Sequence, residues 1–443
     1  MRARRVADQA GQVLVMVAVS MVVLVGAVGL AIDSGLGYMV KAKLNAAVDS
    51  ASVAAARAVV KGDDQAAQSA SAKQAARDFF DANYPAGYLG STPVFNDPVI
   101  SFDRGMVTID TSAQATLPVG FMRVLGFTSL DVVAAAQTQR KDLDLAFVMD
   151  TSNSLIPSAS QVRSAAALFI DKFSPTTDRM ALIHFSHGAE VDEPIRPVAR
   201  GFDRTKMINH VGKFDFTGYT NSSEGMWNAR DQLNRIAAGN RSTLRVIVFF
   251  SDGVPTSFAS RFDFRNPGQC ATAGTIIASE EAGSPVDGLY RLDRQSEELP
   301  GACFEYQVST ALAATGLPRF YNAHGAGQEF PVETTQPRAV SRAPSWTNVS
   351  RASRNLAESV AEKARREGIY VFTLGLGPEL TMPYGPDAEI GQELLKCMAN
   401  TADSLPRCYK PAQPVGVYCF AANETELKPC FSKLASEILR ITR

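Results

Sequence analysis

Hydrophobic residues are unevenly distributed along this chain, and the first long hydrophobic run is continuous. Residues 13–32 (VLVMVAVSMVVLVGAVGLAI) carry no charge, and Ser20 is their only side chain that forms hydrogen bonds. Twenty helical residues span about 30 Å, the thickness of the hydrocarbon core of a membrane. The run therefore predicts a transmembrane helix. A cleaved signal peptide is the alternative, but its apolar region is usually about 7–15 residues long, so the length favours a retained anchor.

The charges on either side of this run predict its orientation. Arg2, Arg4 and Arg5 precede the run, and Asp33 follows it. Basic residues are enriched on the cytoplasmic side of membrane helices. Residues 1–12 are therefore expected to be cytoplasmic, and the chain after Asp33 is expected to be exported.

Residues 33–140 predict a helix followed by a small strand-rich unit. Apolar residues recur after the membrane run at gaps of four, three, four and four positions, which is helical periodicity. The stretch is also rich in alanine, a strong helix former. A second helix is predicted over residues 64–83, and short strands are predicted over 98–102, 106–115 and 130–138. The periodic positions are Leu44, Val48, Ala51, Ala55 and Val59.

From residue 141 to residue 443, strands and helices alternate. Nearly continuous apolar runs predict buried strands at 143–150, 179–186, 244–253 and 368–377. Helical segments separate or follow them, which predicts an α/β domain built on a doubly wound, mostly parallel sheet. The predicted helices cover about 158–173, 221–238, 348–366 and 424–441.

One connection in this domain is unusually long. About ninety residues, 254–343, lie between a predicted strand and the next predicted helix, and they are rich in Gly, Pro, Asn and Ser. Loops of this length are usually functional or disordered. The insertion starts beside Asp252, so we expect it to shape or cover the nearby end of the sheet. An insertion without a role is the alternative.

Polar residues cluster where the predicted strands end. Asp150, Ser152 and Ser154 follow the first strand of the domain, Thr220 precedes a helix, and Asp252 follows a later strand. Ligands of parallel sheets bind beyond the carboxyl ends of the strands, so these three loops are expected to converge. Carboxylate and hydroxyl oxygens suit a hard divalent cation. The sequence therefore predicts a site for Mg²⁺, with Mn²⁺ or Ca²⁺ as alternatives.

The helix after Thr220 has a predicted amino-terminal cap. Asn221 stands three residues before Glu224, and this spacing allows the two residues to cap each other's backbone N–H groups.

Charge and catalytic motifs exclude several functions. The 443 residues include 44 basic and 45 acidic ones, so the net charge of −1 gives no basic surface for nucleic acid. The sequence has only four histidines and lacks the G-x-S-x-G, P-loop and H-E-x-x-H motifs. A hydrolase using Asp150 or Asp252 with metal-bound water is disfavoured, because no His or Lys stands in those motifs to carry a proton. We therefore expect a protein that is not an enzyme.

The cysteines predict an oxidising compartment. All six lie in the second half of the chain, their number is even, and none forms a C-x-x-C pair. This favours three disulfides over six thiols in an exported domain. Fifteen pairings are possible, among which we expect one bond within the insertion and bonds between neighbours among the last four. The cysteines are Cys270, Cys303, Cys397, Cys408, Cys419 and Cys430.

Two segments resemble proteins of a bacterial pilus system. Residues 11–58 (GQVLVMVAVSMVVLVGAVGLAIDSGLGYMVKAKLNAAVDSASVAAARA) are similar to the start of TadG-type proteins, and residues 119–139 (VGFMRVLGFTSLDVVAAAQTQ) to the end of their small domain. These proteins belong to the tight-adherence (Flp) pilus assembly system. The resemblance implies a single-pass protein of the bacterial inner membrane with most of its chain in the periplasm. Met16 stands where a processed prepilin would have Glu, which agrees with a retained anchor.

The strand-end residues resemble the metal-ion-dependent adhesion site (MIDAS) of von Willebrand factor A domains. Asp150, Ser152, Ser154, Thr220 and Asp252 match that motif residue by residue. The resemblance implies that the serines and the threonine bind the ion directly, and that the aspartates bind it directly or through water. It also implies that a carboxylate of a partner completes the coordination. TadG-type proteins carry such a domain, so the two resemblances agree.

These features lead to two hypotheses. In the first, a membrane-anchored binding protein contacts other pilus assembly or envelope proteins through a metal-bound acidic side chain and so promotes adherence. In the second, the chain is a pseudopilin-like structural subunit with a vestigial metal site.

Overall fold

The computed structural model describes residues 7–61, 64–103, 106–140, 142–265, 270, 272–279, 281–300, 314–325 and 327–441. Within it the chain forms two compact units, Met1–Arg140 and Lys141–Arg443.

The first unit begins with one long helix, α1 (Ala7–Ala58). Its segment from Gln12 onward is long and apolar enough to cross a membrane. The side chains of residues 13–25 are largely exposed, as expected for a segment whose surroundings are lipid. From Val40 onward the same helix buries one face, so its carboxyl-terminal part belongs to the core of the unit.

A second helix and an antiparallel sheet complete this unit. Asp64 caps α2 by accepting a hydrogen bond from the N–H of Ala67 (2.7 Å). The central strand of the sheet pairs with each of the other three, and alternate residues of this strand face α1. The elements are α2 (Gln65–Asn83), β1 (Thr92–Phe95), β2 (Val99–Asp103), β3 (Met106–Pro118) and β4 (Ser129–Arg140).

The second unit is an α/β domain, as predicted. Its strands are β5 (Leu143–Asp150), β6 (Arg179–Phe185), β7 (Ala189–Glu193), β8 (Leu244–Ser251), β9 (Ser257–Ser260), β10 (Asp263–Phe264), β11 (Gly274–Ile277), β12 (Asp287–Tyr290), β13 (Ala314–Gly316), β14 (Tyr370–Leu376), β15 (Pro383–Tyr384), β16 (Glu389–Ile390) and β17 (Tyr418–Ala421). Its helices are α3 (Ala159–Ile170), α4 (Arg204–Gly212), α5 (Ser222–Asn234), α6 (Trp346–Arg366), α7 (Gly391–Ala399) and α8 (Leu427–Ile441).

The central sheet has the order β17-β14-β8-β5-β6-β7. All pairs are parallel except β6 with β7, which are antiparallel. Helices α3, α4 and α8 cover one face, and α5, α6 and α7 cover the other. Strand β5 shows why its apolar run is continuous: Ala146 and Val148 pack on one face, while Leu145 and Phe147 pack on the other.

The described part of the insertion is folded. Strands β9, β11 and β12 form a small antiparallel sheet. Phe258, Ile276 and Leu289 of these strands are fully buried and join the core formed by α5 and α6. These apolar residues are scattered among the Gly, Pro and Ser that dominate the composition of the insertion. Through them the insertion shares its hydrophobic core with the sheet domain.

Two disulfides brace the carboxyl-terminal part of the domain. Cys397 bonds to Cys408 and Cys419 bonds to Cys430, as predicted for neighbouring cysteines. The first bond joins α7 to the following loop, and the second joins β17 to α8. Cys303 lies outside the described residues, so its predicted bond within the insertion stays a prediction.

Candidate metal site

The register of the central sheet brings two of the predicted acidic loops together. Strands β5 and β8 are parallel neighbours, with Met149 opposite Phe250, so Asp150 ends its strand beside Ser251. The hydroxyl of Ser251 donates a hydrogen bond to Oδ2 of Asp150 (2.5 Å). The backbone N–H of Ser152 donates to Oδ1 of the same carboxylate (2.8 Å). Asp150 is fully buried and held from both sides.

The two serines link Asp150 to Asp252. The hydroxyl oxygens of Ser152 and Ser154 lie 3.1 Å apart, and the hydroxyl of Ser154 donates to Oδ1 of Asp252 (3.0 Å). Ser152 is 1% exposed and Asp252 is 8% exposed, whereas Ser154 lies at the surface. The group is therefore buried on one side and open to solvent on the other.

Thr220 joins this group through backbone contacts between the loops. Its carbonyl accepts a hydrogen bond from the N–H of Thr256 (3.0 Å), and the nearby carbonyl of Gly218 accepts one from the N–H of Asn153 (3.0 Å). A Cβ added to Gly253 would lie 3.4 Å from Oγ1 of Thr220. The structure thus brings all five predicted residues to one edge of the sheet.

The electrostatics of the site suit a divalent cation. Burial raises the pKa of Asp150, and burial together with the charge of Asp150 raises the pKa of Asp252 well above its usual value. Among the described residues, no Lys, Arg or His forms an ion pair with either carboxylate. Protonation or a bound cation would relieve the charge of two buried carboxylates, and the hydroxyl oxygens between them are ligands of the kind that hard cations accept.

Two families match this chain. The family described as "von Willebrand factor type A domain" matches residues 144–278, which include all five site residues. The family described as "Putative Flp pilus-assembly TadE/G-like" matches residues 11–58. The chain carries a TadE/G-like segment followed by a von Willebrand factor A domain. The comparison with curated proteins finds no match.

Solved structures with similarity to the chain include two pilus proteins. The von Willebrand factor domain of the type V pili tip protein Mfa5 from Porphyromonas gingivalis is 15% identical, with a TM-score of 0.38, covering 69% of this chain and 97% of that one. The pilus adhesin SpaC from Lactobacillus rhamnosus GG is 13% identical, with a TM-score of 0.40, covering 78% of this chain and 34% of that one.

A third structure is proximal thread matrix protein 1 from the mussel byssus, with a zinc-occupied MIDAS motif. It is 12% identical, with a TM-score of 0.33, covering 68% of this chain and 46% of that one. The chain thus spans about a third of SpaC and under half of the mussel protein.

The insertion of the von Willebrand factor A domain contacts the loops that form the site. The side-chain amide of Gln295 donates hydrogen bonds to Oγ1 of Thr151 (3.0 Å) and to the carbonyl of Asp215 (2.6 Å). Thr151 stands between Asp150 and Ser152. The insertion therefore supports the backbone of the site.

A second set of contacts holds the same part of the insertion close to the sheet. The N–H of His187 donates to the carbonyl of Gln295 (2.9 Å), and the ring of His187 stacks on that of Tyr290 with 3.9 Å between centroids. A Cβ added to Gly188 would clash with the carbonyls of Arg291 and Arg294. The chain passes so close here that only glycine fits.

Glu224 makes a buried polar contact between α5 and the insertion. Asn221 caps α5 as predicted, because its Oδ1 accepts a hydrogen bond from the N–H of Glu224 (3.3 Å). The second predicted bond, from the backbone N–H of Asn221 to the carboxylate of Glu224, is wrong. This fully buried carboxylate instead accepts hydrogen bonds from the hydroxyl of Tyr321 and from Nε2 of His324 (2.8 Å). Tyr321 and His324 of the insertion therefore occupy the carboxylate that would otherwise complete the cap.

This contact predicts a dependence of stability on pH. Burial acts to lower the pKa of His324, but the charge and hydrogen bond of Glu224 outweigh it, with a smaller contribution from Asp231, so the pKa is raised. The protonated form therefore stabilises the fold fully below pH 6.5, the ordinary pKa, and this contribution is lost as the pH rises through the raised pKa. In urea unfolding, the stability of the wild-type chain should fall more steeply above pH 6.5 than the stability of His324→Gln. Identical pH profiles would contradict this expectation.

Sequence reasoning missed three residues at the site. Ser251 lies inside a strand-end motif and could have been found from its position. Gln295 lies in the insertion, where no periodicity or motif marks it. Glu379 follows β14, and its charge contributes to the raised pKa of Asp252. Its nearness depends on the order of strands in the sheet, which the sequence alone does not show.

Proposed function

We propose that this chain is a membrane-anchored binding protein, not an enzyme, that works with a pilus assembly machine and promotes adherence. It binds other pilus assembly or envelope proteins through a divalent cation held by Asp150, Ser152, Ser154, Thr220 and Asp252. The observation that carries the proposal is the convergence of these oxygen-bearing side chains at an exposed edge of the sheet. The TadE/G-like match supports the link to a pilus.

The arrangement of the site supports binding rather than catalysis. Hydrogen bonds from Ser251 and Ser152 fix the carboxylate of Asp150 but leave it lone pairs for a cation. Among the described residues, no Lys or His forms an ion pair with it to carry a proton. The exposed side of the site, at Ser154, is where a carboxylate of a partner would complete the shell of a cation. Mg²⁺ is the ion we propose, with Mn²⁺ or Ca²⁺ as alternatives.

The proposed location follows from the helix and the disulfides. The apolar part of α1 anchors the chain in the bacterial inner membrane, with residues 1–12 in the cytoplasm and the rest in the periplasm. The disulfides Cys397–Cys408 and Cys419–Cys430 support an oxidising compartment.

Capture of partners in the presence and absence of metal tests this function. The full chain, solubilised in detergent and immobilised, should retain pilus or envelope proteins in Mg²⁺ and release them in EDTA. Asp150→Ala should lose this retention, because it removes one of the two charges that hold the cation.

A matched control separates loss of the site from loss of the fold. Asp171→Ala removes an aspartate of the same domain that is 61% exposed, and it should bind as the wild type does. Normal pilus function and unchanged capture by Asp150→Ala, at normal abundance, would reject metal-dependent binding and support a structural subunit instead.

A further inference from the structure

The loop between β3 and β4 is fixed to α1 at the point where its apolar run ends. The carboxylate of Asp33 accepts hydrogen bonds from the backbone N–H groups of Gly120 (3.3 Å), Phe121 (3.0 Å) and Met122 (2.7 Å). Asp33 is 2% exposed, so its charge is satisfied by these donors rather than by water. The contact sets the position of the loop along the helix.

The loop reaches the apolar run itself. Gly29 lies four residues before Asp33, about 6 Å along the helix axis. A Cβ added to Gly29 would clash with the side chain of Phe121. Phe121 therefore packs beside the last turns of residues 13–32, at the depth where a transmembrane segment leaves the hydrocarbon.

The outer side of this loop is unusually apolar. Val124 and Leu125 are 69% and 57% exposed, and Phe121 and Phe127 are about half exposed. Arg123, in the same short helical turn, is also exposed. Aromatic rings together with an arginine are typical of the boundary between lipid tails and headgroups, where the guanidinium reaches the phosphates.

The backbone of the loop suits a site with little water. The N–H groups of Val124, Gly126 and Phe127 donate to the carbonyls of Phe121 (3.2 Å), Arg123 (3.0 Å) and Met122 (3.2 Å). Backbone groups that enter a membrane must be satisfied internally. These three donors of the turn are therefore paired internally beneath its apolar side chains.

We propose that this lipid-contact loop, residues 120–127, inserts Phe121, Val124, Leu125 and Phe127 into the membrane interface next to α1. The occupant is lipid because the loop is continuous with the exposed apolar surface of α1, whose residues Leu30 and Ile32 are 46% and 43% exposed. The first unit thus holds the membrane at two points and cannot swivel freely about its anchor. This inference concerns the membrane side of the chain and does not depend on metal binding.

Tryptophan fluorescence of the full chain in vesicles tests the loop directly. Val124→Trp, in vesicles of phosphatidylcholine and phosphatidylglycerol, should show blue-shifted emission from the added tryptophan. Phospholipids brominated close to the headgroup should quench most of it. The wild-type signal of Trp227 and Trp346 is subtracted. Leu125→Trp should behave in the same way.

Val99→Trp is the matched control. Val99 is 65% exposed on β2 and pairs with Asp110, eight residues before Pro118 and about 27 Å from the loop along β3. Its added emission should be neither shifted nor quenched. The proposal is overturned if Val124→Trp and Leu125→Trp match this control. It is equally overturned if their emission is shifted but not quenched by brominated lipid, because a protein, such as a second copy of the chain, then covers the loop.

Discussion

Mg²⁺ is expected to raise the unfolding temperature of the wild-type chain and to leave that of Asp252→Asn unchanged. A cation that binds only the folded state at a hundredfold excess over its Kd stabilises that state by about 2.7 kcal/mol. In EDTA, Asp252→Asn should be more stable than the wild type, because the buried carboxylates of Asp150 and Asp252 repel each other and the substitution removes one charge. Scanning calorimetry of the full chain in detergent measures both effects.

The two halves of this expectation need different controls. Asp171→Asn removes an exposed aspartate of the same domain and should keep the wild-type response to Mg²⁺. Equal shifts by Mg²⁺ in the wild type and in Asp252→Asn would place the cation elsewhere. If Asp252→Asn is less stable than the wild type in EDTA, the hydrogen bond from Ser154 to the Asp252 carboxylate outweighs the repulsion between the two carboxylates.

Removal of Glu224 is expected to produce a large loss of stability, centred on the insertion. Glu224→Ala leaves the buried hydroxyl of Tyr321 and the ring of His324 without their acceptor. Burying such groups without a partner costs about 3 kcal/mol in total. Urea unfolding of the full chain should show this decrease, and hydrogen exchange should show lost protection in residues 314–325, which dock on Glu224.

A neighbour on the same helix provides the comparison. Asp231 is paired with Arg235 at a partly exposed position, and Asp231→Ala should change stability by no more than about 0.5 kcal/mol. If Glu224→Ala costs as little as Asp231→Ala, the buried contact does not hold the insertion in place. The same conclusion would follow if Glu224→Ala lost protection from hydrogen exchange evenly across the domain rather than first in the insertion.

The architecture was predictable where a pattern was local. Continuous apolar runs predicted β5, β6, β8 and β14, because parallel strands covered on both faces have no polar side. The edge strand β17 was not predicted. It has only four residues, two of them half-buried, and so lacks such a run.

The candidate site was predictable in its residues but not in its supports. Asp150, Thr220 and Asp252 stand next to strand or helix boundaries that the sequence marks. Gln295 reaches Thr151 across 144 residues of sequence, and Glu224 meets His324 across 100. Contacts over such distances depend on how the insertion folds, and neither residue type nor local spacing marks them.

The bonds of Asp33 have a consequence for the order in which this protein matures. The helix emerges first during synthesis, but the three amides that satisfy Asp33 follow it by 87 to 89 residues. In the orientation proposed above, this carboxylate lacks these three donors until the hairpin of β3 and β4 has crossed the bilayer. In that orientation, translocation of the hairpin would fix the depth of the helix, so the anchor would reach its final position only after the small sheet had been exported.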